Sequence, residues 1–387
     1  MIKRYNLRRS PGLASFSYIH EHPDWPRFRW RDEAILQLLS AVRHRQGHLK
    51  GRMESLGFDL KQEAIVRTLT QDVVKTSEIE GERLDEEPVR SSIARRLGME
   101  IAGLREPDLQ VEGIVEMMID ATGNYDQALT PERIFSWQAA LFPTGRSGMR
   151  RVRVGSWRDD VNGPMQVVSG PIGRERVHFE APKADRIESE MRRFLDWFNA
   201  SSRTDELLRA ALSHLWFVTV HPLDDGNGRV ARAVADMLLA RSERTSQRFY
   251  SMSGQILRER ADYYSVLERT QKGSLDVTIW MQWFLRCLDR AIEGAQETLG
   301  AVLAKARFWD SVREVSLNAR QRKMLNRLLD GFQGKLTTSK WAKICKTSDD
   351  SALRDITELL ELGILVRSTA GGRSTSYTLR GVASSTS

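Results

Sequence analysis

The stretch 221–232 brings together the side-chain types that phosphate chemistry requires. It begins with His221, whose ring nitrogen can accept a proton near neutral pH. Asp225 supplies a carboxylate, the ligand type that Mg²⁺ prefers. Arg229 and Arg232 are three residues apart, so on a helix they share one face and can both neutralise phosphate charge. The stretch therefore predicts a site for a phosphate-bearing substrate, with His221 as a general base.

Small residues lie between these charged ones. Gly226, Asn227 and Gly228 stand at the expected start of a helix. The N–H groups of a first helical turn have no carbonyl partners within the helix, and glycine lets a phosphate oxygen come close to them. We therefore expect these three residues to form an anion-binding nest.

Two helices are expected to position this loop. An apolar run from Leu207 to Val220 predicts a helix that leads into His221, and a second helix is expected at about 229–241. Hydrophobic spacing also predicts a helix that begins near Asp32. The same spacing predicts further helices at about 61–78, 86–97, 107–121, 131–141, 184–200 and 255–270, and a long helix or a pair of helices at 277–307. The expected fold class is mainly α.

Composition narrows the class of protein. The 387 residues are 41% hydrophobic and 28% charged, which is typical of a soluble globular protein. No apolar run approaches the roughly 18 residues that span a bilayer, and the basic N-terminal segment lacks the apolar core of a signal peptide. The only cysteines, Cys287 and Cys345, are far apart, so no disulfide framework or zinc spacing is present. We expect a cytoplasmic protein without a membrane partner.

A β-hairpin is expected at about 165–179. Two β-prone pieces, Met165–Val168 and Arg176–Phe179, flank the turn-like run Ser169–Gly173. Such a hairpin is either a plain surface feature or a strand edge that pairs with an incoming peptide. Position in the chain alone does not separate the two.

The tail, 316–387, has its own composition. It contains 12 Lys and Arg residues against 6 Asp and Glu residues. Short helices are expected at about 318–331, 339–345 (capped by Thr338) and 350–362, followed by strand pieces at 364–367 and 376–379. Three helices and a hairpin are the plan of a winged helix-turn-helix, and a basic unit of this kind favours nucleic acid.

The expected recognition helix of this unit is nevertheless acidic. Arg354 is its only cation, whereas its acids are Asp349, Asp350, Asp355, Glu358 and Glu361. DNA phosphates would be repelled by such a face. Arg367 and Arg373, in the expected wing, are better candidates for a DNA contact. A DNA partner and a protein partner both remain open.

The stretch 221–232 resembles the signature of the Fic family. That signature reads His-Pro-Phe-any-(Asp/Glu)-Gly-Asn-(Gly/Lys)-Arg, with a second Arg three positions later. Every fixed position matches except one, where Leu223 replaces the usual phenylalanine. Because both residues are apolar, we expect Leu223 to anchor the loop in the core.

The resemblance covers about residues 15–300. Trp25–Gly51 is similar to the N-terminal helical extension of many bacterial Fic proteins, and Thr76–Gly81 is similar to the family's inhibitory motif, Ser/Thr, three residues, Glu, Gly/Asn. The hairpin at 165–179 corresponds to the family's flap. The resemblance implies a Fic-type helical bundle in three parts: an N-terminal extension with the inhibitory helix (1–110), a catalytic domain (111–307) and an appended winged helix-turn-helix (316–387).

The implied activity is protein adenylylation. AMP moves from ATP to a hydroxyl side chain of a target protein, and of the enzyme itself, and pyrophosphate leaves. By motif position, His221 deprotonates the hydroxyl and Asp225 binds Mg²⁺. The nest binds phosphate, and Arg229 and Arg232 hold the outer phosphates.

Three further roles follow from the resemblance. Glu80, the glutamate of the inhibitory motif, would pair with Arg232 and repel the outer phosphate of ATP, so that the protein is autoinhibited. The flap at 165–179 would dock the target backbone as an added strand. Tyr263 and Tyr264 would line the adenine side of the pocket, although aromatic residues on a helix are equally typical of a core.

Two other functions remain open at this stage. One is a DNA-binding regulator in which the Fic domain serves as a nucleotide-responsive switch. The other is a Fic enzyme that removes AMP, with Glu80 orienting a water molecule. The target protein cannot be read from the residues, and association of two copies of the chain is left open.

Overall fold

A computed structural model of the chain describes residues 17–54, 58–99, 107–161, 163–170, 174, 176–329, 332, 334–368 and 375–380. These residues are mainly helical, as the hydrophobic spacing predicts. They form two compact units, one up to Gln296 and one from Glu297 onward. Within the described ranges, no helix has the length and apolar character needed to cross a membrane.

The first unit contains eleven helices and two hairpins in its described residues. Its helices are α1 (Asp32–Glu54), α2 (Phe58–Ile79), α3 (Glu86–Arg96), α4 (Leu109–Gly123), α5 (Pro131–Leu141), α6 (Ala184–Asn199), α7 (Glu206–Val220), α8 (Asn227–Glu243), α9 (Met252–Arg258), α10 (Arg260–Gln271) and α11 (Thr278–Ser311), the last continuing into the second unit. The antiparallel hairpins pair β1 (Arg146–Ser147) with β2 (Arg150–Arg151) and β3 (Gln166–Ser169) with β4 (Arg176–Glu180).

Helices α7 and α8 form the centre of this unit. Every residue of α7 from Leu207 to Val220 is buried, and so is every residue of α8 from Arg229 to Ala240. A helix that is buried on all sides must be surrounded by other elements. Here α2, α4, α5 and α6 pack around the pair. The loop between α7 and α8 is thus held at both ends by the most buried helices of the unit.

A buried ion-pair network ties α2 to α8. Arg248 donates from Nη2 to Asp72 Oδ2 at 3.0 Å and also pairs with Asp236 of α8. Ser251 donates to the other oxygen of Asp72 at 2.6 Å. All three charged side chains are buried, so the network fixes the position of α2 relative to α8.

Two boundaries differ from the sequence-based expectation. The single helix expected at about 255–270 is instead α9 followed by α10, with a break at Glu259 (φ −110°, ψ 27°). The Glu259 side chain pairs with Arg290, and because the apolar spacing continues through the break, periodicity does not reveal it. The cap of the helix expected at 339–345 is Thr337, which accepts from the Lys340 N–H, and not its neighbour Thr338.

The second unit has a core of its own. It comprises α12 (Ala319–Leu329), α13 (Thr338–Cys345), α14 (Asp349–Glu361) and an antiparallel hairpin of β5 (Leu365–Arg367) with β6 (Tyr377–Leu379). Trp341, Met324 and Ile356 are fully buried at its centre. The order of elements is the one expected for a winged helix-turn-helix, an identification that stays a prediction. Arg373 and most of the connecting loop lie outside the described residues.

Asp355 does not lie on the outer face of α14, where it would repel DNA. It is buried and accepts hydrogen bonds from Arg320 Nε at 2.7 Å, Asn318 Nδ2 at 2.8 Å and Trp341 Nε1 at 3.3 Å. The expectation for this residue is therefore wrong, because its carboxylate is used inside the unit to join α12 to α14.

The network around Arg248 predicts a large stability effect. Asp72→Ala leaves a buried guanidinium with one carboxylate instead of two, and breaking such a pair typically costs about 3 kcal/mol. We expect a loss of that size in the free energy of unfolding, measured by urea denaturation followed by tryptophan fluorescence. Asp108→Ala is the control. It removes only the helix cap that accepts from the Val111 N–H, at a cost of about 1 kcal/mol. Equal losses in the two variants would contradict the role of the network.

Candidate functional site

His221 stands where α7 ends, in a left-handed conformation with φ 52° and ψ 56°. Its ring Nδ1 lies 3.1 Å from the carbonyl oxygen of Val218. A carbonyl can only accept, so Nδ1 carries the proton and Nε2 keeps its lone pair. Burial, the largest effect, lowers the pKa of His221, although the bond to Val218 opposes it. The imidazole is therefore neutral at pH 7 and able to act as a base.

The loop after His221 is held by Asn227. The side chain of Asn227 accepts from the Leu223 N–H at 2.9 Å and donates to the Leu223 carbonyl at 2.7 Å. Leu223 is 0% exposed, so leucine anchors the loop in the core at the position where the family has phenylalanine. Gly226 has φ +84°, and a Cβ there would lie 3.1 Å from side chains of Leu141 and Phe142. Asn227 thus shapes the loop with its side chain, and only its backbone remains for an anion.

The start of α8 has the geometry of the expected nest. Its first backbone hydrogen bond within the helix runs from the Val230 N–H to the Gly226 carbonyl at 3.0 Å. The N–H groups at 227–229 therefore precede any intrahelical partner and are available to an anion. The helix dipole adds partial positive charge at the same point.

Asp225 is the residue predicted to bind Mg²⁺. It lines the cleft, and one of its oxygens accepts from the Gly226 N–H at 2.7 Å. Among the residues that the structure describes, no group of three or more His, Cys, Asp or Glu side chains is placed to hold a metal. Asp225 therefore fits a Mg²⁺ ion whose other ligands are phosphate oxygens and water, and it does not fit a cage made by protein alone.

Two side chains that support the loop were missed from the sequence. Arg158 donates from Nε to the His221 carbonyl at 2.8 Å, and its N–H donates to the Pro222 carbonyl at 2.9 Å. Gln138, fully buried on α5, donates to the Asp225 carbonyl at 3.3 Å. Neither had a recognisable signal, since one is an arginine in an arginine-rich stretch and the other a lone glutamine on a helix.

Arg232 is buried and hydrogen-bonded to residues at the end of α2. It is 3% exposed. Its Nε donates to Thr76 Oγ1 at 2.6 Å, and its Nη2 donates to the Thr76 carbonyl at 2.9 Å and to Glu80 Oε1 at 2.7 Å. The structure thus brings together the first residue of the expected inhibitory motif, its glutamate and the second arginine of the loop.

Glu80 can reach this position because residue 228 has no side chain. A Cβ on Gly228 would lie 2.1 Å from Glu80 Oε1. The carboxylate therefore sits beside the start of α8, where a phosphate is expected. Burial raises the pKa of Glu80, but Arg232, Arg229 and His221 outweigh burial, so the pKa is lowered and the carboxylate is charged.

A second acidic residue, which the sequence analysis did not predict, forms an ion pair with Arg229. Arg229 Nη1 donates to Glu82 Oε2 at 2.7 Å, and Gln110 donates to the same oxygen at 3.1 Å. Gly81, with φ +89°, turns the chain after α2. Glu80 and Glu82, on either side of this turn, therefore both reach arginines of α8. The only sequence signal for Glu82 was its position two residues after Glu80.

His221, the residues from Asp225 to Arg229, Glu80 and Glu82 line a cleft of about 1660 Å³ that is bounded by the flap, β3 and β4, on one side and by α10 on another. Within the described part of the chain, β3 pairs only with β4, so its other edge is free to accept a strand. Residues 171–173 of the expected turn lie outside the described residues.

Tyr263 is placed in the wall of this cleft. Its side chain is 2% exposed, and its hydroxyl lies 2.9 Å from His214 Nε2. Its neighbour Tyr264 is 38% exposed and packs under the Arg260 guanidinium at 5.5 Å. Contact between Tyr263 and an adenine stays a prediction, and Tyr264 offers the more accessible ring.

Two families match separate parts of the chain. Residues 128–239, which include the whole loop and both helices that flank it, match the Fic/DOC family. Residues 18–99, which include α1, α2 and Glu80, match a domain of unknown function, DUF4172. Glu80 and Arg232, which form an ion pair, therefore come from different matched regions.

Curated relatives match a part of the chain. The chain is 33% identical over 118 residues to a protein adenylyltransferase Fic from Nematostella vectensis, covering 29% of this chain and 25% of that protein. It is 32% identical over 116 residues to protein adenylyltransferase fic-1 from Caenorhabditis elegans, covering 28% and 21%. The chain thus spans about a quarter of the length of these relatives.

One solved structure resembles the fold over nearly the whole chain. It is a crystal structure of a Fic family protein from Desulfovibrio desulfuricans G20, with a TM-score of 0.50 and 20% sequence identity. The match covers 90% of this chain and 97% of that chain. At this identity the match shows the fold alone.

The Arg229–Glu82 pair predicts that nucleotide binding is restrained by Glu82. Glu82→Gln removes the charge that competes for Arg229, and partly exposed pairs are worth up to about 1 kcal/mol. We expect the Kd for ATP with Mg²⁺ to fall by up to about fivefold, measured by isothermal titration calorimetry. The control is Glu78→Gln, because Glu78 pairs with Lys75 at 2.9 Å and with neither arginine. An unchanged Kd in Glu82→Gln would refute a competing role.

Proposed function

We propose that this chain, which contains a Fic domain, transfers AMP from ATP to a hydroxyl side chain of a target protein and to itself. The observation that supports this most directly is the position of His221. His221, whose Nε2 is unprotonated, lines the same cleft as the open start of α8 and Arg229. A base beside a phosphate-binding nest is the arrangement that hydroxyl attack on phosphorus needs.

In the proposed reaction the target hydroxyl attacks the α-phosphorus of ATP. His221 Nε2 takes the hydroxyl proton as the new oxygen–phosphorus bond forms, and the bond to the bridging oxygen breaks so that pyrophosphate leaves. The N–H groups at 227–229 hold phosphate oxygens, and Arg229 and Arg232 hold the outer phosphates. Mg²⁺, when bound through Asp225, neutralises phosphate charge.

The target is proposed to bind along the flap. The open edge of β3 offers backbone N–H and C=O groups, which pair with any extended peptide and read little of its sequence. Val168 and Val177, on β3 and β4, are both exposed and can pack against target side chains. Such docking would bring a hydroxyl towards His221 in the cleft that the flap borders.

The same cleft supports a proposal of autoinhibition. Glu80 and Glu82 occupy Arg232 and Arg229, the groups that would bind the outer phosphates. A carboxylate in that place repels phosphate as well as masking the arginine. ATP would then bind without its phosphates in the productive position until Glu80 moves away.

Removing the Glu80 carboxylate tests this proposal. In Glu80→Gly the arginine loses a charge-assisted hydrogen bond worth about 1.5–3 kcal/mol, so access of phosphate to Arg232 rises about 10- to 100-fold. We expect a matching rise in AMP incorporation, seen as an added AMP in the intact mass after incubation with ATP and Mg²⁺. Equal incorporation in wild type and Glu80→Gly would rule out inhibition by Glu80.

The control for the chemistry is Glu80→Gly combined with His221→Ala. Without the base, we expect incorporation to disappear while ATP still binds. An AMP adduct that persists in the double variant would overturn the role of His221, and a complete lack of AMP transfer by Glu80→Gly would overturn the proposed function.

The pKa of His221 predicts how the rate depends on pH. Because burial lowers this pKa below 6.5, the neutral base persists at lower pH than for a free histidine. We expect the rate of Glu80→Gly to hold between about pH 8 and 6.5 and to fall only below that range. Loss of Glu80 also removes a carboxylate that raises the His221 pKa, so the decrease in rate moves to a still lower pH. Initial rates of pyrophosphate release at each pH measure this dependence. A midpoint of the decrease above pH 6.5 would contradict the assignment of His221 as the base.

A further inference from the structure

One guanidinium joins the loop that contains His221 to the root of the flap. The side chain of Arg158 is 0% exposed, and it lies between the two hairpins in the sequence. Its Nε donates to the His221 carbonyl at 2.8 Å, and its Nη2 donates to the Pro182 carbonyl at 2.5 Å. Its Nη1 pairs with Asp160 Oδ1 at 2.7 Å. Each nitrogen of the guanidinium therefore has a partner, and the partners come from three segments of the chain.

Pro182 lies at the root of the flap. It follows the last residue of β4 by two positions. Between them, the Ala181 N–H donates to the Met165 carbonyl at 2.9 Å, which continues the pairing of β4 with β3. The second oxygen of Asp160 accepts from the Ala184 N–H, at the start of α6, at 2.6 Å. Arg158 and Asp160 thus hold the chain on both sides of the point where the flap ends and α6 begins.

His221 needs support from outside its own helix. The carbonyls at the end of a helix have no N–H partners within the helix, and His221 is the residue that caps α7. Arg158 supplies a second donor to this turn, since its backbone N–H binds the Pro222 carbonyl at 2.9 Å. A charged donor makes the stronger hydrogen bond, and a planar guanidinium holds its acceptors in a fixed arrangement. Lysine has a single ammonium group and cannot reproduce this fork.

Arg158 acts through the residues that it holds. His221 lines the cleft, and so do Val167 and Val168 of the flap, whereas Arg158 does not. It therefore connects two walls of the cleft from behind. Any effect of Arg158 on the reaction must pass through the position of His221 or the position of the flap.

We propose that Arg158 is a positioning residue that sets the distance between His221 and a target docked along the flap. The proposal rests on the proposed function, because it concerns the same AMP transfer. The flap determines where the target hydroxyl lies, and the loop determines where His221 Nε2 lies. The two must be aligned, since a misplacement of about 1 Å can cost about 100-fold in rate.

Hydrolysis of ATP does not need this alignment. In hydrolysis a water oxygen attacks the α-phosphorus, its proton passes to His221 Nε2, and the bond to the bridging oxygen breaks to give free AMP and pyrophosphate. Water is not docked on the flap, so it adjusts to a displaced His221, whereas a docked hydroxyl does not. Loss of Arg158 therefore lowers the ratio of protein-bound AMP to free AMP.

The test measures this ratio with full-length chains. The enzyme carries Glu80→Gly, with or without Arg158→Lys. The acceptor is a second, affinity-tagged copy that carries His221→Ala and so does not modify itself. After incubation with ATP and Mg²⁺, intact mass gives the AMP on the acceptor, and chromatography gives the free AMP. We expect Arg158→Lys to lower transfer about 100-fold and hydrolysis much less, with an unchanged Kd for ATP.

The matched control is Arg209→Lys. Arg209 is also buried, and its Nη2 donates to the Phe198 carbonyl at 2.8 Å and to the Ala200 carbonyl at 3.2 Å. It joins the end of α6 to the start of α7, at the opposite end of α7 from His221. This control removes an equally buried guanidinium, and we expect it to leave the ratio of protein-bound to free AMP unchanged.

Asp160→Asn tests the same link with less disturbance of the fold. It keeps Arg158 and removes the negative charge that holds its Nη1, and the Asp160 side chain is 29% exposed. We expect the ratio of protein-bound to free AMP to fall in the same direction as in Arg158→Lys, by a smaller factor. This variant decides the test if circular dichroism shows that Arg158→Lys does not fold.

The outcomes separate this inference from the proposed function. An unchanged ratio in Arg158→Lys and Asp160→Asn, or equal losses of transfer and hydrolysis, would overturn the inference and leave the proposed function standing. An equal fall of the ratio in Arg209→Lys would do the same, and so would a loss of ATP binding as large as the loss of transfer. No AMP transfer and no pyrophosphate release by Glu80→Gly would overturn both.

Discussion

A guanidinium that is shut away from water must have an anion beside it, and this site is arranged around such a group, Arg232. An unpaired charge at that depth would cost several kcal/mol. In this structure Glu80 and the backbone and hydroxyl of Thr76 meet the requirement. A phosphate could meet it equally well, but not while Glu80 is present. Under the proposed function, a single positive charge therefore serves both the resting and the active enzyme, and the two states compete for it directly.

This competition depends on α2 being held in register with α8. The Asp72–Arg248–Asp236 network fixes α2 about one turn before Thr76 and about two turns before Glu80, the residues that meet Arg232. Gly81 then turns the chain so that Glu82 meets Arg229 as well. Helices α2 and α8 belong to different matched families, although ion pairs between charged side chains join them. Under the proposed autoinhibition, Glu80 would leave Arg232 by movement of the last turn of α2, a turn that does not include Asp72 of the buried network.

The sequence predicted what was local and periodic. The helices α7 and α8 followed from hydrophobic spacing, and the loop between them followed from the dense order of residues from His221 to Arg232. Contacts between distant residues were beyond this reasoning. His178 and Glu268 are 90 residues apart, and each is a common surface residue until the fold brings them within 2.7 Å. The Glu80–Arg232 pairing could be predicted only from the resemblance to the family, in which the glutamate of the inhibitory motif pairs with the second arginine of the loop.

The backbone of His221 shows how folding and chemistry make different demands on one position. The end of α7 is a left-handed site with φ 52°, where glycine is the least strained residue and a side chain costs roughly 1 kcal/mol or more. At this turn the imidazole lines the cleft while its Nδ1 stays 3.1 Å from the Val218 carbonyl of α7. A residue chosen for stability alone would be glycine, so the helix end is less stable than it could be. The fold tolerates this deficit because α7 is buried along its entire length.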